Sequence, residues 1–234
     1  MISAHVFSIL RNAATACVLA IVAWGGPAGP VAADDLPAKF KLDGNTLIYD
    51  TERPEDDEDQ LAADGVIWEI SDSDIDVFEA ILGQDPTINR LQLNSGGGSV
   101  YAGERIAQLV VDHTLDTWVV GECVSACVDI FLAGEQRQMT LGSKIGFHQR
   151  DWSPSAVQSY YRRWRKDEQW ATPFEFGSWI YRDTQAEIFR HLDYMISRDV
   201  DPVFAIRTLE TAPENVWFPS RMRLVAAGVL RAAP

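Results

Sequence analysis

The stretch INRLQLNSGGGSVYAGERIAQLVV, residues 88–111, decides the fold. INRLQL (88–93) closes on alternating Leu91 and Leu93 and reads as a strand. NSGGGS (94–99) is a turn, because three consecutive glycines can continue neither strand nor helix without cost. VYAGERIAQLVV (100–111) then spaces its apolar residues three and four apart, which predicts a helix. A strand delivered through a tight glycine turn into a helix is the opening of a βα unit.

The same alternation continues on both sides. Downstream, TWVVG (117–121) reads as a strand, residues 126–132 as a buried helix, and MTLGSKIGF (139–147) as a strand or paired short strands. Upstream, NTLIYD (45–50) reads as a strand and VIWEI (66–70) as a buried strand; SDSD offers helix caps before IDVFEAIL (75–82), whose helix ends at Asp85 and Pro86. Residues 34–44 form an extended lead-in, and the acidic run 51–60, interrupted by Pro54, is a solvated loop. The order predicts an α/β fold with parallel pairing and right-handed crossovers. After His148 the texture changes: residues 151–170 are a Trp- and Arg-rich helix or lid, PFEFG (173–177) is a break, and a long amphipathic helix covers about 182–197. Val200, Asp201 and Pro202 start a short helix, and RMRLVAAG gives a closing helix ended by Gly228.

At the N-terminus Arg11 precedes an uncharged apolar run (13–24), then GGPAGP and the small residues Val31, Ala32 and Ala33. This is the pattern of a secretory signal peptide cleaved after Ala33, since the run is too short to span a bilayer. A retained membrane anchor, or a lipoprotein site at Cys17, is the lesser alternative. Cleavage takes the 234 residues to 201 and, with Arg11 lost, the formal net charge from −14 to −15. The expectation is a periplasmic or secreted protein with one domain over 34–234, helically elaborated at 151–181, and no stable membrane span. So acidic a chain is a poor partner for nucleic acid or anionic membranes.

Export leaves Cys123 and Cys127, within GECVSACVDIFLAG (121–134). An exported pair so close is more often bridged than free, although on a regular helix their spacing is near the limit for a disulfide, so an irregular turn at Ser125 is required. Two sulfurs alone make an incomplete metal shell, and neither metal nor cofactor is expected.

Three pieces converge at the carboxyl ends of adjacent strands: the glycine turn, Ser125 and His148. Acyl transfer needs such a set, in which a serine attacks, a histidine takes its proton and two backbone N–H groups hold the oxyanion. These residues resemble the Clp protease proteolytic subunit and its relatives in the Clp/crotonase superfamily. LNSGGGSVYAG (93–103) is similar to that family's NSPGG turn, GECVSACVDIFLAG to its GxAASMGAFLLAAG segment, and SKIGFHQ (143–149) to its SRxxIHQ. The resemblance covers about residues 65–149. It implies the ββα spiral fold with a helical lid or handle inserted after the third core strand, and a serine peptidase acting on peptide or protein. Ser125 falls on the nucleophile, His148 on the catalytic histidine, and Gly98 and Ala126 on the oxyanion donors. The family's acid does not carry over, because Val216 takes its position with Asn215 and Glu214 as neighbours; Asn215, or else Glu214, is the candidate third member. The longer stretch after His148 puts the family's ring-forming handle in question and leaves homo-oligomerisation open. An exported protein meets no ATP, so the activity would be ATP-independent.

Plainer readings stand beside these. Ser125 alone is a helix N-cap, the glycines alone make a turn, and His113, His148 and His191 alone are packed histidines. Arg150, Arg162, Arg163, Arg165 and the tryptophans cover a lid, or grip an acidic or extended peptide. A catalytically silent Clp-like binding or scaffold protein of the cell envelope is the rival to the hydrolase, and crotonase-like thioester chemistry fits poorly outside the cytoplasm.

Overall fold

The computed structural model describes residues 36–52 and 66–231. The signal-peptide reading and most of the acidic run therefore lie outside the described residues. The fold is mixed α/β. A hairpin of β1 (Phe40–Asp43) and β2 (Thr46–Asp50) leads, across the acidic segment, to α1 (Ser73–Gln84), β3 (Arg90–Ser95), α2 (Val100–Asp112), β4 (Asp116–Val124) and α3 (Ala126–Leu132). Two short strands follow, β5 (Arg137–Met139) and β6 (Lys144–Gly146), then α4 (Pro154–Trp164), α5 (Pro173–Ser197), α6 (Pro202–Arg207) and α7 (Arg221–Ala226). The sheet order is β1-β2-β3-β4-β5; only β1 with β2 is antiparallel, and β6 joins beside β4.

Registers follow the alternation of side chains. Leu47 pairs with Leu91 and Leu93 with Val119, and all four are fully buried. At the other end of the core, Phe40, Tyr49 and Phe78 pack as an aromatic trio with ring centroids 4.9 to 5.2 Å apart. Beneath them Asp74, buried on α1, receives Lys39 Nζ at 2.6 Å and the Tyr49 hydroxyl at 2.7 Å. The extended lead-in thus supplies both a strand and a buried charge.

The course of β4 positions the site. Leu93 faces Val119, yet Ser95 faces Cys123, so β4 carries extra residues in a bulge. Gly121 sits there with φ +99°, and a Cβ on it would stand 2.2 Å from Asn94 Oδ1. The bulge re-aims the strand: residues before it pair with β5, and Glu122, Cys123 and Val124 pair with β6. The stretch 139–147 is accordingly two short strands, each lying on a different part of β4.

Two expectations are corrected. Residues 66–70 are not a buried strand: Ile67 is 55% exposed, and only Ile70 is buried, in an isolated bridge to Gly98. PFEFG is not a break but the first turn of α5, which runs unbroken for 25 residues. Thr172 caps it by accepting the Glu175 N–H, Glu175 accepts the Ala171 N–H at 2.8 Å, and Pro173 sits where its missing N–H costs nothing. Of the tryptophans after His148, Trp170 and Trp179 pack: with Tyr160 and Phe176 they form one aromatic cluster between α4 and α5, while Trp152, Trp164, Arg162, Arg163 and Arg165 are exposed.

Candidate active site

Ser125 joins β4 to α3 with φ +57° and ψ −126°, a conformation that non-glycine residues rarely hold. It occupies the N-cap position, but its side chain makes no cap hydrogen bond. The hydroxyl therefore does not perform the task that the plainer reading gave it. Its N–H donates to the Gly146 carbonyl at 3.3 Å and its carbonyl accepts the Val128 N–H at 2.9 Å, so the elbow is fixed by β6 on one side and by α3 on the other. Cys123 and Cys127 are bridged, with Cα atoms 5.3 Å apart and both residues fully buried. The disulfide spans the elbow, which is the irregular turn its spacing required.

The glycine turn packs directly against this elbow. Gly97 has φ +111°, and a Cβ there would stand 2.8 Å from Ser125 Cβ and 2.9 Å from the Val124 carbonyl oxygen. Gly98 has φ +143°, and its Cβ would stand 2.3 Å from the Ile70 carbonyl oxygen. Neither position admits a side chain. Ile70 donates its N–H to the Gly97 carbonyl and accepts the Ser99 N–H, both at 2.8 Å. Because backbone groups alternate in direction along an extended chain, the N–H of Gly98 leaves the opposite edge. Neither it nor the N–H of Ala126, the first residue of α3, is taken up by a hydrogen bond among the described residues. Gly98 is thus accompanied by Gly97, which sequence reasoning assigned no task of its own.

His148 follows β6 by two residues and is half-buried. Phe147 is bridged to Trp217, exchanging hydrogen bonds at 3.0 and 2.9 Å, which lays the segment after α6 beside the histidine's strand. His148 Nδ1 lies 2.6 Å from the carbonyl oxygen of Gln149. Among the described residues no hydrogen bond joins Ser125 to His148, and none joins His148 to the side chain of Asn215 or Glu214, both of which are exposed. Val216 covers Gly146, where a Cβ would stand 2.5 Å from Val216 Cγ1.

A second cluster, missed in the sequence, lies beside the first. Asp129, one turn beyond Ser125 on α3, is buried and receives Arg150 Nη2 at 2.7 Å. Arg150 also reaches Glu104 at 3.0 Å and Glu187 at 3.1 Å, and its Nη2 lies 3.1 Å from His191 Nδ1. Burial works against ionisation of Asp129, but His191 and Arg150 outweigh it and hold the carboxyl below the usual carboxylate range. Its Oδ1, 3.4 Å from His191 Nδ1, has no hydrogen-bond partner among the described residues, and Asp129 lines a cavity of about 210 Å³ with Glu104, Tyr194 and Arg190. Arg150 is therefore held in a largely buried ion-pair cluster, and His191 packs against it. No group of three or more His, Cys, Asp or Glu side chains among the described residues is arranged to hold a metal ion, and no helix among them is long and apolar enough to cross a membrane.

No protein-family model matches the chain, and no curated protein matches it either. The structure is similar to that of a single-substitution mutant of ClpP1 from Listeria monocytogenes, with a TM-score of 0.47 and 17% sequence identity, over 69% of this chain and 84% of that one.

Proposed function

We propose that this chain is an exported, ATP-independent serine hydrolase of Clp-like type that cleaves peptide bonds. Ser125 attacks the carbonyl carbon and His148 takes the serine proton, then returns it to the leaving amine. The N–H groups of Gly98 and Ala126 hold the oxyanion. Water then repeats the sequence on the acyl-enzyme and frees the serine. The observation that carries the reading is the strained, uncapped Ser125 packed against Gly97 at the end of the strand that pairs with the histidine's own, with the N–H groups of Gly98 and Ala126 unpaired among the described residues. An extended peptide would pair with the edge of the glycine turn not used by Ile70, where the Gly98 N–H and carbonyl are presented. Export is supported by the signal-peptide pattern before Asp34 and by the disulfide, a bond that oxidising compartments keep.

The rival, a silent Clp-like binding or scaffold protein, is favoured by one observation: His148 is joined by hydrogen bonds neither to Ser125 nor to a carboxylate among the described residues. A quenched casein-type substrate separates the two. The hydrolase reading expects turnover that Ser125→Ala abolishes; binding without turnover by the wild type would favour the rival.

A further inference from the structure

We infer that the main-chain carbonyl of Gln149, locked by Arg150 and Asp129, does for His148 what a triad carboxylate does elsewhere, so that Arg150 and Asp129 are positioning residues. The inference rests on the hydrolase reading above. It starts from a contact whose polarity is fixed. A carbonyl oxygen has no proton to give, so at 2.6 Å from it His148 Nδ1 must be the donor. The neutral ring then carries its hydrogen on Nδ1 and its lone pair on Nε2, the tautomer a base requires. Serine enzymes obtain that tautomer from a buried acid, and the neighbours of Val216 place none against the ring.

A lone carbonyl next to the histidine would orient it poorly if its peptide could rotate, but this peptide, which joins Gln149 to Arg150, is flanked by two anchored residues. Gln149 donates its N–H to the Thr211 carbonyl at 2.8 Å and its side-chain amide to the Leu209 carbonyl at 2.7 Å. The next residue, Arg150, is held by three elements at once: Asp129 on α3, Glu104 on α2 and Glu187 on α5. Each bears on the site. α3 begins at the oxyanion donor Ala126, α2 follows the glycine turn, and α5 is the long lid helix. The guanidinium fork suits this task, since it binds several oxygens in fixed directions. Arg150 thereby sets the Gln149 carbonyl, and with it the His148 ring, in register with the elbow at Ser125. A carbonyl bears no full charge, so it fixes the tautomer while stabilising the imidazolium less than a carboxylate does.

The test combines fluorophosphonate labelling rates with long-range proton–nitrogen NMR of His148, on the wild type and on Arg150→Gln, Arg150→Lys and Asp129→Asn. The neutral wild-type ring should show a protonated Nδ1 and an unprotonated Nε2. Arg150→Gln should mix the tautomers, move the pH midpoint of labelling, and slow labelling by about 10- to 100-fold, the cost of a small misplacement. Arg150→Lys should recover part of the rate. An Nε2–H tautomer in the wild type overturns the inference, as does an unchanged rate and pH profile in folded Arg150→Gln. Slowing by Asn215→Ala or Glu214→Gln with no slowing by Arg150→Gln also overturns it. Should Arg150→Gln not fold, Arg150→Lys and the wild-type tautomer decide. A wild type that never labels overturns the hydrolase reading instead, and its tautomer still decides the clamp.

Discussion

Replacing both Cys123 and Cys127 by alanine removes the brace across Ser125 and nothing else of the proposed chemistry. The bridge joins residues four apart in sequence. Loop-closure entropy for so short a ring amounts to about 2 kcal/mol. In a domain of this size that is a fall in Tm of about 4 to 8 °C. The local effect is separate. Ser125 is held at φ +57°, a conformation that costs on the order of 1–3 kcal/mol for a non-glycine residue. If the bridge supplies 1–2 of those kilocalories, the productive elbow becomes a minority state and fluorophosphonate labelling of Ser125 slows by about 5- to 30-fold. The assay is thermal unfolding followed by tryptophan fluorescence, with labelling rates at a temperature where both proteins are folded. Wild type unfolded and labelled in the presence of reductant should approach the double variant. A double variant with the same Tm and the same labelling rate would refute the brace, whatever becomes of the hydrolase.

Gly98→Ala puts a Cβ 2.3 Å from the Ile70 carbonyl oxygen at φ +143°, so the turn must shift; denaturant unfolding should show a loss of at least about 1–3 kcal/mol, and labelling should vanish with it. Arg137 is fully buried and donates to the carbonyls of Leu132, Arg198 and Gly228, joining α3 to the ends of α5 and α7. Burial, with Arg198 and Arg231 nearby, pushes its pKa down to about 10, so it stays charged at neutral pH. Arg137→Met strands the carbonyls of Arg198 and Gly228, while Leu132 keeps the Arg198 Nε donor at 3.0 Å, and should cost about 2 kcal/mol or more by chemical denaturation. Asp129 titrates below the ordinary carboxylate value because of its neighbours, so its ionisation contributes stability above about pH 4 that is lost as pH falls through its lowered folded value. The stability difference between wild type and Asp129→Asn should therefore be constant near neutrality and shrink in acid, and a difference that grows in acid would contradict the assignment.

What was legible in the sequence was whatever a local pattern writes. The strand, glycine turn and helix of 88–111 appear where periodicity and the three glycines put them, with Ser99 capping α2 through the Ala102 N–H. Residues 66–70 deceived because Val, Ile and Trp suit a strand; a strand also needs a partner, and only Ile70 finds one, at Gly98. The expected break at 173–177 weighed Pro173 and Gly177 as breakers, whereas Thr172 and Glu175 spell a capping box with proline at the position helices accept. The site divides in the same way. Ser125, His148 and the glycines stand in short motifs. The positive φ of Ser125, the Gly98 N–H left unpaired among the described residues and the reach of Arg150 to Asp129 depend on contacts between segments that no spacing reveals.

The central claim is that Ser125 is a nucleophile activated by His148. Intact-mass and peptide-mapping analysis after fluorophosphonate treatment tests it most directly. The account predicts one adduct on the purified wild-type protein, mapped to Ser125, absent from Ser125→Ala and strongly slowed in His148→Ala. A wild-type protein that takes up no adduct between about pH 6 and 9, or takes it up equally without His148, would contradict it.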